Sequence, residues 1–347
     1  SDFTKLFYEF SSADELKEFS TEELSAIVGN AYKFFSTHKG SAPKIRVFSP
    51  SLDTDGWEKD YTVIEMINKD TPFIVDSISE EINRLGYTID YLAHPVIDVG
   101  RDDKGKIVTL VNGSTTELNS VNKESFIHAR LSHKVTDKEA KQLSTALLSI
   151  MTSVRSCVRD WQKILESVSK LRENTVSTLE FLTQNLHPKT LSACTEDIHE
   201  LEEFLHWLVN NNFVFLGYIE QRKSGKSLKS HAKSALGLCQ TMDLWLPKFD
   251  HVTFDHQQIL QFIHITKSSE RSPVHRPHHM DLISIPKLND KGDVIGVAHI
   301  FGMFTSVVYY QSSRRIPLLR RKIMLAHQHS GFPVSGHSGK ALSAILE

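Results

Sequence analysis

Tyr61-Thr-Val-Ile-Glu-Met-Ile67, Asn68-Lys-Asp-Thr71, Pro72-Phe-Ile-Val-Asp-Ser-Ile-Ser-Glu-Glu-Ile-Asn-Arg-Leu-Gly86 is the stretch that decides the fold. Its first seven residues are apolar and β-branched enough for a strand. The next four form a tight loop in which Thr71 reads as a helix N-cap, with Pro72 at the first helical position. Val75, Ile78, Ile82 and Leu85 then fall at steps of three, four and three, which line one helix face. Gly86 stands where the glycine after a helix belongs.

On the C-terminal side, 87–99 returns as a strand, Arg101-Asp-Asp-Lys-Gly105 turns, and 107–111 pairs back. Residues 124–131 alternate as a further strand. Thr136-Asp-Lys-Glu139 is a capping box opening a long helix striped by Leu143, Leu147, Ile150, Val154, Trp161, Ile164 and Val168. On the N-terminal side, 12–37 reads as helical, with Ser12 and Ser20 or Thr21 as caps and Leu24, Ile27, Val28, Ala31 and Phe35 as the stripe. Ala42-Pro43 breaks it, and Ile45-Arg-Val-Phe48 is a short strand. Strand, helix, strand, strand, helix is the order of an α+β sandwich, an antiparallel sheet with helices on one face, and a ferredoxin-like topology is expected.

Residues 170–212 read as a helical connector, capped by Thr195 and striped by Ile198, Leu201, Leu205 and Leu208. Past Asn210-Asn-Asn212 a second α+β unit opens with Phe213-Val-Phe-Leu-Gly-Tyr-Ile219. In it 225–233 reads as a polar loop, and strands at 282–286 and 294–300 are joined by Asn289-Asp-Lys-Gly292. The expected division is a helical segment at 1–42, an α+β domain at 43–170, the connector at 171–211 and a second α+β domain at 212–347.

The composition agrees with such a chain. There are 347 residues, 40 Lys+Arg against 42 Asp+Glu, and 40% hydrophobic residues, which suits two globular domains. A formal charge of -2 gives no support to nucleic-acid or polybasic membrane binding. Cys157, Cys194 and Cys239 make neither a disulfide framework nor a zinc pattern, which points to a reducing interior. The N-terminus has no secretory pattern, and with no initiating Met the chain reads as processed or excised. The longest apolar run, 294–310, is interrupted and short for a membrane span. The expectation is a soluble, cytoplasmic protein with no membrane or nucleic-acid partner.

Motifs for chemistry are scarce. Gly100-Arg-Asp-Asp-Lys-Gly105-Lys106 has phosphate-loop spacing, but Ile107 replaces the Ser/Thr and a strand follows, so it reads as a hairpin turn. Gly336-His-Ser-Gly339-Lys340 precedes helical sequence and reads as a capped helix start rather than an anion site. No G-x-G-x-x-G, G-x-S-x-G or reactive-cysteine context occurs. His251, His256, His264, His275, His278 and His279 crowd one stretch without metal-ligand spacing, so no metal is assigned. His199, Glu202 and His206 share a helical face of ordinary amphipathic type. Arg314, Arg315, Arg320, Arg321 and Lys322 form the strongest basic cluster, either a solvated face paired with acids or an interdomain or anion contact. Around 68–76, helix-start N–H groups with Asp70, Thr71 and Asp76 nearby suit a small zwitterion, or are a capped helix with no ligand.

Several stretches then carry a family likeness. Asp70-Thr-Pro-Phe-Ile-Val-Asp-Ser77, Asn83-Arg-Leu-Gly86, His94-Pro-Val96 and Glu124-Ser-Phe-Ile-His128 resemble the N-terminal region of the large bacterial NAD-specific glutamate dehydrogenases. So do Phe213-Val-Phe-Leu-Gly-Tyr218, Ser272-Pro-Val-His-Arg-Pro277 with Met280-Asp281, Phe304-Thr-Ser306, Arg315-Ile-Pro-Leu-Leu-Arg-Arg-Lys322 and Ser335-Gly-His-Ser-Gly-Lys-Ala-Leu342. The resemblance runs over about 45–347. It implies two ACT-like modules of the amino-acid-binding, enzyme-controlling kind, in a parent that oxidises L-glutamate with NAD. Catalytic and NAD-binding domains would lie beyond this chain, which itself would hold no cofactor and no catalytic residue. Its implied partners are the remainder of the polypeptide, further copies of itself and an amino-acid effector. The implied ligand loop is Asp70, Thr71, Pro72, Phe73 and Asp76. That loop lacks the usual ACT glycine, so a purely structural scaffold is one other reading, and a free-standing amino-acid sensor is a separate alternative.

Overall fold

The computed structural model describes residues 2–9, 11–40, 42–111, 122–185, 188–249, 262–332, 336–338 and 340. His251, His256 and most of the 336–345 helix start lie outside the described residues, as does the side chain of Cys194. The class is α+β, with antiparallel sheets and a long helix. Two compact units are formed, Ser1–Arg155 with Pro273–Pro277, and Ser156–Ser272 with His278–Glu347.

The first unit contains α1 (Asp2–Tyr8), α2 (Ala13–Lys17), α3 (Thr21–Phe35), β1 (Lys44–Phe48), α4 (Leu52–Asp55), β2 (Thr62–Lys69), α5 (Ile74–Arg84), β3 (Ile89–Ala93), β4 (Val96–Arg101), β5 (Ile107–Val111) and β6 (Asn122–Leu131). It also takes the first part of α6 (Asp137–Asn185). The strand order is β1-β2-β6-β4-β5, with β3 also on β6, and every pairing is antiparallel. In a β-α-β-β-α-β unit the last strand returns beside the first. Here β1, which precedes β2 in the chain, takes that edge.

Local signals are realised as they read. Ser12 with Glu15 and Ser20 with Glu23 form reciprocal capping boxes, so 12–37 becomes two helices with two caps. Thr136 and Glu139 do the same at the head of α6, with backbone bonds of 2.7 and 3.3 Å. Both hairpin turns are built alike. The Asp102 carboxylate accepts from the N–H groups of Lys104 and Lys106, and the Asn289 side-chain oxygen accepts from those of Lys291 and Asp293.

Several expectations change. The 87–99 strand is split into β3 and β4 at His94-Pro95, because proline has no N–H to give a ladder. The sheet is not bare on one face. Residues 62–68 of β2 are all buried, and Phe3, Phe7, Ala31 and Phe35 of α1 and α3 form one core with Ile67, Ile97, Val99 and Phe126. Thr195 is not the helix start but lies inside α7 (Pro188–Trp207), which begins seven residues earlier, at a proline whose missing N–H suits a first helical position. Trp161 leaves the buried stripe of α6, which Cys157 joins, while Ile164 and Val168 are buried as expected.

The second unit holds the rest of α6, α7, β7 (Phe213–Ser224), β8 (Ser227–Gly237), β9 (His264–Arg271), β10 (His279–Leu288), β11 (Val294–Phe304) and α8 (Leu319–Ser330). Its sheet runs β8-β7-β11-β10-β9, all antiparallel. Ile164, Val168, Leu201, Phe204 and Leu205 from the helices pack with Phe213, Phe215, Ile283, Ile285, Val297 and Ile300 from the strands. Among the described residues no α-helix lies between β7 and β11, so the helical cover comes from ahead of the sheet. Of the expected 225–233 loop only 225–226 is a turn, and the rest belongs to strand β8. It is an edge strand, where polar side chains are tolerated because only one side of its ladder is paired.

Candidate functional site

The β2–α5 loop is set by its backbone before any side chain acts. The helix begins at Ile74, and Thr71 does not cap it. Phe73 takes the N-cap place at φ 72, ψ 0, with no side-chain cap bond. Those angles belong to the third position of a type II turn, which favours proline just before it, and Pro72 is there. The turn thus displaces the helix start by two residues. A left-handed Phe is held where glycine would be ordinary.

Asp70 is fixed from two sides. Its N–H donates to the Lys123 carbonyl at 2.9 Å, and its carboxylate accepts from the Ser125 hydroxyl at 2.6 Å. Asp70 also lies close enough to His94 to raise that imidazole, although burial is the larger influence and lowers it. Beside Asp70, three buried polar atoms have no hydrogen-bond partner among the described residues: Asn68 Oδ1, Thr71 Oγ1 and His94 Nε2. Such orphans are uncommon in folded proteins and mark places where water, an ion or a ligand is owed. Asn68 and His94 were not among the residues picked from sequence. The sequence signals for His94 are its place before Pro95, which ends strand pairing, and the His94-Pro-Val96 stretch that carries the family likeness.

Phe73 and Asp76 face a different neighbour in the same unit, the strap Pro273–Pro277. The His275 backbone N–H donates to the Ser77 hydroxyl at 3.1 Å. The His275 ring lies 5.0 Å from that of Phe73, and its Nδ1 is 3.8 Å from the Asp76 carboxylate. Burial, and then Arg276, lower the His275 imidazole against the raising effect of Asp76. His275 also has a left-handed backbone, φ 73. The five loop residues therefore divide: Asp70 and Thr71 join Asn68 and His94, Phe73 and Asp76 meet the strap, and Pro72 is exposed.

The basic stretch is split as well. Arg320 pairs with Glu200 at 2.8 Å and with Glu203, and Arg321 pairs with Glu196 at 2.6 Å and Asp197 at 3.1 Å. All four acids lie on α7. Arg314, Arg315 and Lys322 are exposed. Among the described residues no group of three His, Cys, Asp or Glu is placed to hold a metal ion, and no helix is long and apolar enough to cross a membrane.

Comparison with known proteins bears out the family likeness. Residues 3–147 match the family described as glutamate dehydrogenase, ACT1 domain, and residues 316–347 match glutamate dehydrogenase, helical motif 1. The NAD-specific glutamate dehydrogenase of Pseudomonas aeruginosa is 31% identical over 356 residues, and that of Halomonas elongata 29% over 358. Each alignment takes in 99% of this chain and 21% of the relative, so the chain spans about a fifth of their length. The protein of the same name from Mycobacterium tuberculosis is 22% identical over 178 residues, half of this chain.

Proposed function

We propose that this chain is the N-terminal regulatory and oligomerisation region of an NAD-specific glutamate dehydrogenase. In this reading a longer cytoplasmic polypeptide carries NAD and converts L-glutamate, NAD+ and water to 2-oxoglutarate, ammonia and NADH. The supporting observation is coverage: 99% of this chain aligns with 21% of proteins bearing that name. The chain contributes assembly and control and no catalytic step. Its partners are the remainder of the polypeptide, further copies of itself and an amino-acid effector at Asp70–Asp76. Arg315 and Lys322 are exposed and belong to the contact with the remainder.

Two measurements test this. The isolated chain should form no NADH from glutamate and NAD+, and sustained turnover would overturn the reading. Calorimetry against the common amino acids should give heat of binding that Asp70→Ala removes. The unpartnered Asn68, Thr71 and His94 atoms favour a ligand there. Binding by a chain whose reading frame does not continue into a G-x-G-x-x-G domain would make it a free-standing sensor. No binding to either protein would leave a structural scaffold.

A further inference from the structure

At the opposite end of β2 from the Asp70 loop, the first unit holds a cavity beneath α1, α2 and α3, lined mostly by apolar and aromatic side chains with a few polar groups among them. It measures about 30 Å3, and its wall includes Arg130, Tyr61, Tyr91, Phe19, His128 and Glu15. That is room for about two water-sized groups. It suits the head group of a ligand, with the rest of the molecule directed outward.

Arg130 rises from β6 between aromatic rings. Its guanidinium carbon is 5.4 Å from the centroid of Tyr61, 5.6 Å from Tyr91 and 5.7 Å from Phe19. Rings hold the flat faces of a guanidinium and leave its N–H edge as the binding surface. Its side chain is only 15% exposed, and among the described residues its one ion pair is to Glu18, at 3.5 Å, which is itself 59% exposed. Among the described residues it makes no hydrogen bond, although a guanidinium has five N–H donors.

Two more groups on the wall are similarly placed. The Tyr61 hydroxyl accepts from the Trp57 indole N–H at 3.1 Å, and its own O–H has no acceptor among the described residues. His128 is turned by its Nδ1, 2.9 Å from Glu65, whose other oxygen takes the Arg46 Nε–H at 2.7 Å. That leaves Nε2 as its remaining nitrogen.

We propose that this cavity binds the carboxylate group of a small organic acid, held by the guanidinium edge of Arg130 with the Tyr61 hydroxyl as second donor. The α1–α3 helices form its cover. One cation and a cavity of this size suit a flat, singly charged, two-oxygen head rather than a tetrahedral dianion. Glu18 is the loosely paired counter-charge, with the Glu15 carboxylate also on the wall and within the field of Arg130, and a bound carboxylate displaces the Glu18 pair. The site shares no residue with the Asp70 loop and does not depend on the reading of the parent enzyme.

The test uses the 347-residue chain. Sodium acetate is titrated at ionic strength held constant with sodium chloride, and the Trp57 indole N–H resonance, assigned with Trp57→Phe, reports on the Tyr61 hydroxyl. A saturable shift is expected, tightened at least threefold by Glu18→Gln and weakened at least tenfold by Arg130→Lys, which keeps the charge but not the fork. Glu18 is on the surface, so its variant tests the site without disturbing the core. No saturable shift in wild type and Glu18→Gln overturns the proposal, as does an affinity that Glu18→Gln leaves unchanged. Should Arg130→Lys fail to fold, the Glu18→Gln result decides alone.

Discussion

His299 makes the stability of the second unit dependent on pH in one direction. It lies buried on β11, with Nδ1 2.9 Å from the Ser284 hydroxyl and Nε2 3.0 Å from the Gln221 side-chain oxygen. Burial, and then the His264 charge, push its imidazole from 6.5 down to about 3. The folded value is the lower one, so as pH falls the unfolded chain takes up a proton first. The stabilisation is complete above about pH 6.5 and is lost progressively as pH falls toward 3. Between pH 7 and pH 5 the loss is about 1.5 pH units at ~1.4 kcal/mol each, or ~2 kcal/mol, equivalent to about 30-fold in the opening equilibrium. Hydrogen exchange of the β10 and β11 amides, corrected for intrinsic rates, reads that opening directly. His299→Gln retains hydrogen-bonding groups but cannot titrate, so its protection should fall about 30-fold less over the same interval. Equal losses in the two proteins would refute the assignment, because every other titrating group is common to both.

Three further outcomes follow from buried groups. Glu65 joins Arg46 and His128 while only 1% exposed, so Glu65→Gln, which leaves the guanidinium without its carboxylate, should lower stability by about 3 kcal/mol in chemical denaturation. A loss below ~1 kcal/mol would mean that the pair is not desolvated as the geometry implies. Gly105 has φ 79, and an added Cβ would lie 2.4 Å from the His38 carbonyl oxygen, so Gly105→Ala should cost more than ~1 kcal/mol. The loss should appear as faster exchange of the His38 amide, which bonds the Gly105 carbonyl at 2.9 Å. Burial pushes the Cys157 and Cys239 thiols up to about 12, so iodoacetamide near pH 8 should label them only after unfolding. Peptide mass spectrometry of native and denatured samples checks this, and rapid native labelling at either site would contradict it.

What could be read from sequence was whatever a few neighbouring residues decide among themselves. Ser12 with Glu15, Ser20 with Glu23 and Thr136 with Glu139 each complete a cap within four residues. Asp102 and Asn289 each close a turn within five. Features that join distant segments were not legible. Arg101, for example, fastens the C-terminal end of α3 through the Phe35 carbonyl at 3.0 Å, and its guanidinium grips Glu124 at 2.8 and 2.7 Å. Nothing near Arg101 in the sequence names those partners. The rings around Arg130 come from residues 19, 61 and 91, on three separate segments. β8 was missed for another reason: its polar residues match a loop in composition, and only the neighbouring strand β7 makes it a strand.

The loop after β2 joins both kinds of information. Thr71-Pro72 correctly marked a break before a helix, but the step from Pro72 to Phe73 depends on tertiary support. A left-handed backbone at a bulky residue costs roughly 1–2 kcal/mol. At Phe73 that cost is offset by contacts the local sequence does not contain: the His275 ring at 5.0 Å, and the strap tied by its N–H to Ser77. His275 is itself left-handed, so two strained residues face one another and each limits the other's escape to an ordinary conformation. The consequence concerns the missing glycine. With glycine at this position the loop would be free to sample other shapes and a ligand would have to order it. With Phe73 under the strap the loop holds its shape without a ligand, and Asn68, Thr71 and His94 keep their unpartnered atoms in place behind it. A fixed site avoids the entropy of ordering, so the absence of glycine is no argument against binding here.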